Sequence, residues 1–260
     1  MSRINVEIVL KTDCILKIKD IFKNTEAGTL VLLDVDDTLI TPKANIFSYK
    51  NNSHRTLIDD IIANKHRISN FTRILSNWRL QRKIVLVSCE WPSIIEEIKQ
   101  NGVSVFALTQ IDTGQFGCIK NLERWRYREL KENGIVFSRF IQGKSRLVLK
   151  KDKNGYAIFY NGVIMTGPFE KVEIFKELLK YVNAKKVIFV DDREENILSL
   201  YRFVKNTGIL FTGIIFRGVE KCHSIPSDEV SNLQKKYLLE KAIWLEDGEA
   251  KLLLSRHDHV

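Results

Sequence analysis

The chain has 260 residues, of which 44% are hydrophobic and 28% are charged, so it is long enough for one domain of ordinary size with an insertion. No apolar run approaches the roughly 20 residues of a membrane-spanning helix. Charged residues interrupt residues 1–22, which argues against the apolar core of a signal peptide. The four cysteines form no CxxC pair and favour a reducing compartment over a disulfide scaffold. We therefore expect a cytoplasmic protein.

The net charge of +9 and the pI near 9.3 raise the question of a polyanionic partner, either nucleic acid or an anionic membrane. The basic residues are spread along the chain. Their densest stretch, residues 144–153, has five basic residues and one acidic residue, and it favours a solvated loop before a predicted hairpin. A positive surface would also attract an anionic substrate. Binding to nucleic acid or to an anionic membrane stays an open alternative.

The first clear buried strand, Thr29 to Leu33, runs directly into the sequence DVDDTL. In extended backbone, residues two apart lie on the same side, so we expect Asp34 and Asp36 to face one site while Asp37 points away. One carboxylate could then act as a nucleophile and bind a cation while the other carries a proton, if their environments separate their pKa values. Aspartates after a strand also serve as turn or N-cap residues, and this alternative stays open for the motif alone.

Residues 41–90 separate this motif from the next strand-and-helix unit. Within them, apolar residues recur at helical spacing over residues 57–62 and 68–78, which predicts a mostly helical insertion. The insertion ends with the apolar run 84–87, which reads as a strand and is followed by the hydroxyl of Ser88.

A helix over residues 93–100 comes next and stops at an Asn-Gly pair. The strand that follows, over residues 103–108, leads to Thr109. Residues 119–133 are predicted to form a charged helix, and residues 135–137 a short strand. This helix-then-strand order is typical of an α/β protein.

Asn161 and Gly162 interrupt an alternating apolar pattern, and Asn-Gly supplies the positive φ angles of a type I′ turn, so we predict a β-hairpin here. The chain then enters a helix over residues 168–182 with Lys171 in its first turn. A lysine at a helix start runs against the preference of the helix dipole for acidic residues, which favours a functional reason for it. Taken alone, the position also fits a surface lysine.

The buried strand Lys186 to Val190 ends in a second acidic pair, Asp191 and Asp192. Parallel α/β sheets place ligands at the carboxyl ends of their strands. Beside Asp34 and Asp36, this pair would crowd negative charge unless a cation were bound. Mg²⁺ is the candidate, because it prefers hard oxygen ligands and retains several waters.

A strand followed by DxDxT, with a later strand followed by DD, resembles the haloacid dehalogenase-like (HAD) superfamily and its phosphatase branch. The resemblance implies a HAD-like Rossmannoid α/β fold, a three-layer sandwich around a central parallel sheet. It implies one HAD-like domain over residues 1–260, with a helical cap at 41–90 and a C-terminal helical extension at 220–260. The features from Thr29 to Arg217, together with the C-terminal WLEDGEAKLLL, are most similar to an uncharacterised bacterial family of HAD-like proteins, DUF2608.

The resemblance also implies roles for the residues of these motifs. Asp34 would attack phosphorus to form an aspartyl phosphate, and Asp36 would protonate the leaving oxygen and then activate water. Thr109 would hold the phosphoryl group through its hydroxyl, although Ser88 also follows a strand and competes for this role. Lys171 would neutralise charge on the nucleophile and on the phosphoryl oxygens.

The implied ligands of Mg²⁺ are four aspartates: Asp34, Asp36, Asp191 and Asp192. In the second pair, Asp192 matches the direct ligand of the family pattern, and Asp191 stands where many relatives have glycine. The family places a second acid four residues later, where this chain has Asn196. Glu195 is the alternative to Asn196, and the sequence does not decide between them.

These roles imply a Mg²⁺-dependent phosphomonoester hydrolase that acts on a phosphorylated substrate of unknown class. A phosphotransferase differs only in the acceptor of the phosphoryl group and stays open. A HAD-scaffold protein that binds anionic partners without turnover is the alternative of a different class. Secretion as a bacterial effector is the open alternative to a cytoplasmic location.

Overall fold

The computed structural model describes residues 8–49, 61–62 and 65–257. The chain forms two compact units, which are described separately. The first unit comprises Met1–Ile40, Leu86–Gly114 and Leu122–Gly218, and the second comprises Thr41–Val85, Gln115–Asn121 and Val219–Val260. Every residue predicted from the sequence to act in a site belongs to the first unit.

The strands of the described residues are numbered in chain order: β1 (Ile8–Thr12), β2 (Thr29–Leu33), β3 (Ile40–Pro42), β4 (Ile84–Leu86), β5 (Ser104–Thr109), β6 (Arg146–Asp152), β7 (Gly155–Tyr160), β8 (Val163–Met165), β9 (Lys186–Asp191) and β10 (Leu210–Phe216). Eight of them form one sheet in the order β1-β10-β9-β2-β5-β8-β7-β6. In this order, the first six strands, from β1 through β10, β9, β2 and β5 to β8, run parallel to their neighbours. Strand β7 runs antiparallel to both β8 and β6. The predicted α/β fold with a central, mostly parallel sheet is confirmed.

The α-helices of the described residues flank this sheet or belong to the second unit: α1 (Ile15–Lys23), α2 (Phe71–Gln81), α3 (Trp91–Gln100), α4 (Leu122–Glu132), α5 (Lys171–Leu178), α6 (Glu194–Val204), α7 (Asp228–Lys241) and α8 (Asp247–His257). Strands β3 and β4 pair in a separate two-stranded sheet, at the positions where the chain passes from one unit to the other. None of the helices described is long and apolar enough to cross a membrane.

The centre of the large sheet is covered on both faces. Leu30 and Leu32 of β2 belong to an apolar cluster that includes Phe175 of α5. Val31 and Leu33 point to the opposite face, because side chains alternate along a strand, and both are fully buried. A parallel strand with both faces covered is typically apolar throughout, as β2 is. This packing fixes the position of the carboxyl end of β2.

The predicted hairpin at Asn161-Gly162 is confirmed. Tyr160 pairs with Val163, and the two residues between them have φ angles of 48° and 93°, as a type I′ turn requires. A Cβ atom at Gly162 would lie 2.5 Å from Cβ of Phe137, so close packing also requires glycine there.

The short strand predicted over residues 135–137 is wrong. Ile135 and Phe137 are buried without forming a ladder. A single residue, Ser138, instead makes two hydrogen bonds with the backbone of Val105 in β5. The Ser138 N–H donates to the Val105 carbonyl at 3.0 Å, and the Ser138 Oγ accepts from the Val105 N–H at 3.1 Å. Apolar content indicated the burial here, but tertiary packing decided the backbone pairing.

The second unit has its own apolar cluster. The ring of Phe47 lies 5.7 Å, between centroids, from both Trp78 of α2 and Trp244. Leu238 of α7 belongs to the same cluster. The predicted insertion over residues 41–90 and the predicted extension over 220–260 thus share one core. Of the helical pattern at residues 57–62, residues 57–60 lie outside the described residues, and the role of the insertion as a cap stays a prediction.

Candidate functional site

The two acidic motifs meet at the carboxyl ends of β2 and β9. These strands are parallel neighbours with Leu33 opposite Val190, and the N–H of Asp34 donates to the Val190 carbonyl at 2.8 Å. The register therefore places Asp34 beside Asp191. Oxygen atoms of three carboxylates lie within 4.8 Å of one another, those of Asp34, Asp191 and Asp192.

These three carboxylates are buried. The exposed fractions are 6% for Asp34, 0% for Asp191 and 2% for Asp192. Buried carboxylates are costly unless they are paired, hydrogen-bonded or bound to a metal. The cluster therefore requires positive charge close by.

Lys171 supplies part of that charge. It is the first residue of α5 and only 4% exposed, and its Nζ donates to Asp34 Oδ1 and, at 2.7 Å, to Asp191 Oδ2. From the start of α5, Lys171 therefore contacts the carboxyl ends of both β2 and β9. Lys171 thus pairs with two of the three clustered carboxylates.

The surroundings shift the pKa values of both partners. Burial raises the pKa of Asp34 well above its usual range, and the charges of Asp191 and Asp192 raise it further against the opposing effect of Lys171. For Lys171, burial acts to lower the pKa, but the carboxylates of Asp191 and Asp34 outweigh it and hold the pKa of this ammonium above its usual value. Additional positive charge beside Asp34 would therefore favour its ionised form.

Asp191 accepts hydrogen bonds from the beginning of α6, the helix that follows β9. Its Oδ1 accepts from the N–H of Arg193 at 2.8 Å, and its two oxygens accept from Nδ2 of Asn196 at 3.1 Å and 3.0 Å. Glu195, in contrast, is exposed to solvent. Of the two candidates that the sequence left open, the structure brings Asn196 to the carboxylate cluster, where it orients Asp191.

The loop after β2 separates Asp36 from the three clustered carboxylates. Asp37 has a φ of 63°, and its N–H donates to the Ile40 carbonyl at 2.7 Å, so the chain turns sharply here. The Asp36 side chain is 44% exposed and lies outside the group of three. Thr38 stays close to the group, with Oγ1 at 3.5 Å from Asp34 Oδ2, the limit of a hydrogen bond.

Asp36 has a buried partner that was not predicted from the sequence. Nη2 of Arg126, on α4, donates to its two carboxylate oxygens at 2.8 Å and 3.1 Å. A signal was present in the sequence: Leu122, Arg126 and Leu130 are spaced four residues apart, and this spacing puts the arginine on the apolar face of its helix.

The two candidate hydroxyls lie at or after the ends of strands that belong to different sheets. Thr109 is the last residue of β5, which pairs with β2 in the central sheet, and it is 1% exposed. Ser88 follows β4 of the two-stranded sheet, and its Oγ accepts from the N–H of Glu90 at 3.3 Å. Thr109 therefore shares the sheet edge of Asp34, whereas Ser88 follows a strand outside that sheet.

Comparison with known proteins gives the family. Residues 11–251 match DUF2608, described as a protein of unknown function. The chain belongs to the DUF2608 family. The match covers all the site residues discussed above, so the acidic cluster lies inside the region that defines membership of DUF2608.

Relatives of this DUF2608 protein occur in Rickettsia and Chlamydia. An uncharacterised protein of Rickettsia prowazekii is 27% identical over 241 residues, covering 92% of this chain and 88% of that protein. An uncharacterised protein of Rickettsia typhi is 26% identical over 136 residues, covering 49% of this chain and 46% of the relative. A Chlamydia pneumoniae protein named a putative outer membrane protein is 27% identical over 103 residues, or 38% of this chain and 37% of that protein. No solved structure matches the chain. The cytoplasmic location stays a prediction.

Proposed function

We propose that this DUF2608 protein is a HAD-type phosphomonoester hydrolase that uses Mg²⁺ and forms an aspartyl phosphate on Asp34. One observation carries the proposal: the buried ammonium of Lys171 contacts both Asp34 and Asp191 where β2 and β9 end. Three buried carboxylates gathered around one ammonium at this sheet edge suit a site that takes up a cation.

The donor set fits Mg²⁺. The three clustered aspartates, Asp34, Asp191 and Asp192, offer hard oxygen ligands within 4.8 Å of one another. When bound, Mg²⁺ would neutralise charge on the phosphoryl oxygens. Asn196 would support the set indirectly, because it fixes the orientation of Asp191.

The residues of the chain divide the reaction between them. A carboxylate oxygen of Asp34 attacks phosphorus while the ester P–O bond breaks, and Asp36 gives a proton to the leaving oxygen. Asp36 then takes a proton from the water that attacks the aspartyl phosphate, which releases inorganic phosphate and restores Asp34. Lys171 balances charge on the nucleophile, and the hydroxyl of Thr109 would donate to a phosphoryl oxygen.

The direct test is phosphate release from para-nitrophenyl phosphate and a panel of natural phosphomonoesters, with Mg²⁺ and with a chelator. We expect release that requires Mg²⁺. If no member of the panel releases phosphate in a Mg²⁺-dependent way, the proposal is contradicted, and salt-sensitive binding of nucleic acid or anionic vesicles becomes the next assay. An added alcohol acceptor that captures the phosphoryl group would identify a phosphotransferase.

Mg²⁺ should also stabilise the folded chain in the absence of substrate. A ligand present at 100 times its dissociation constant stabilises a protein by about 2.7 kcal/mol, so the melting temperature should rise on titration with Mg²⁺. Asp192→Asn removes a clustered charge and should shift this titration to higher Mg²⁺. The matched control is Asp20→Asn, which alters a carboxylate exposed on α1. Equal responses of the two variants would argue against the metal site.

A further inference from the structure

The Asp36 side chain is held by Arg126 of α4. The arginine is 2% exposed, while the carboxylate that it holds is 44% exposed. Its Nη2 contacts the two carboxylate oxygens at 2.8 Å and 3.1 Å. Contact of one guanidinium nitrogen with both oxygens restrains the direction in which the carboxyl group faces. The exposed group is therefore oriented from its buried side.

The guanidinium is itself held in place. Nη1 donates to Glu129 Oε2 at 2.7 Å, one helical turn along α4. Leu122 and Leu130 on the same face are 0% and 1% exposed. Packing and the second carboxylate together restrict the rotamers of Arg126, as a precisely oriented site requires of its supporting residues.

We propose that Arg126 is a positioning residue that aims Asp36 at the leaving oxygen of the substrate. The inference rests on the proposed hydrolase function and adds a residue to it. The Asp36 side chain is still 44% exposed, so a substrate can reach its carboxyl group from the solvent side. From that side the Asp36 proton passes to the leaving oxygen, which keeps the electron pair of the broken P–O bond while Asp34 forms its new bond to phosphorus.

The rate gained when Asp36 donates a proton depends on the leaving group. A nitrophenolate leaves readily without a proton, whereas a phenolate or an alkoxide needs one. If Asp36 is no longer oriented, hydrolysis of phenyl phosphate should therefore slow far more than hydrolysis of para-nitrophenyl phosphate. A loss of fold or of phosphate binding would slow both substrates equally. The ratio of the two kcat/KM values thus separates positioning from a structural role.

The test compares this ratio in the wild type and in Arg126→Gln. General acid catalysis contributes about 10²–10⁴-fold, so we expect kcat/KM for phenyl phosphate to fall at least about 10-fold more than for para-nitrophenyl phosphate. Arg128→Gln, on the exposed face of the same helix, is the matched control and should leave the ratio unchanged. Arg126→Lys keeps the charge on a shorter side chain without the Nη1 contact to Glu129, and it should be intermediate. It also replaces the glutamine variant if that variant does not fold.

A second comparison asks whether Arg126 acts through Asp36. In an Asp36→Asn background, Arg126→Gln should add little further loss on phenyl phosphate, because the group that it aims is already absent. Equal losses on both substrates, or a full further loss in the Asp36→Asn background, would overturn the positioning role while leaving the hydrolase intact. A wild-type protein without Asp34-dependent turnover would overturn both proposals.

Discussion

Asp34→Asn is expected to lower kcat at least about 10⁴-fold, with little change in fold, because an amide oxygen cannot replace the carboxylate as a nucleophile. Asp34 is 6% exposed and lies against Lys171, so the amide fits the same space and loses only the charge. The measurement is steady-state phosphate release at saturating Mg²⁺. Single turnover of a phosphate-labelled substrate should leave label on the wild type and none on the variant.

Two comparisons make this expectation specific. Asp37→Asn makes the same change in the same loop, at a residue that is not one of the three clustered carboxylates, and asparagine tolerates its φ of 63°. This variant should keep kcat within about 3-fold of the wild type. Adding Asp192→Asn to Asp34→Asn should reduce turnover little further, because residues that act as a unit give non-additive losses. Near-normal turnover of Asp34→Asn would contradict the aspartyl phosphate mechanism.

Lys171→Met is expected to have the second-largest effect, on stability as well as on activity. The substitution leaves the buried carboxylates of Asp34 and Asp191 without their shared ammonium. Removing one partner of a buried ion pair typically costs about 3–5 kcal/mol, so the free energy of unfolding in the presence of a chelator should fall by about that amount. Urea unfolding monitored by circular dichroism measures it. Turnover with Mg²⁺ should fall at least about 100-fold, since stabilisation of the phosphoryl charge is also lost.

Lys176→Met is the matched control for this substitution. Lys176 lies on the same helix but is exposed, with its Nζ 5.0 Å from the ring centroid of Phe203. It should change the free energy of unfolding by less than about 1 kcal/mol, as surface substitutions usually do. If Lys171→Met were equally mild, the ion pairs with Asp34 and Asp191 would not hold the cluster together. That outcome would remove the main support for the proposed site.

The parts of this site that could be predicted depend on local signals. Asp34 and Asp191 each stand where an apolar strand ends, and parallel strands bring such ends to one edge of a sheet. The turn at Asn161 and Gly162 could also be predicted from the sequence, because the Asn-Gly dipeptide itself favours its positive φ angles. Lys171 was suggested by its place at a helix start, a weak signal that needed the order of the motifs around it.

The parts that could not be predicted depend on tertiary contacts. The helical spacing of Arg126 indicates burial but does not name Asp36 as its partner, 90 positions away in the chain. Asn196 and Glu195 differ by one position on α6, and only the packing of that helix decides which of them reaches Asp191. The shared core of residues 41–90 and 220–260 likewise depends on contacts such as Phe47 with Trp244.

The parallel pairing of β2 with β9 has a consequence for the kinetics of folding. Lys171 and Asp34 are 137 positions apart, so their contact requires the closure of a long loop. Contacts between distant positions slow folding, and we infer that the three carboxylates converge only after this pairing is complete. A cation bound by them would then stabilise the native state and leave the folding transition state unaffected. It would act by slowing unfolding, so metal would lengthen the lifetime of the folded chain without speeding its formation.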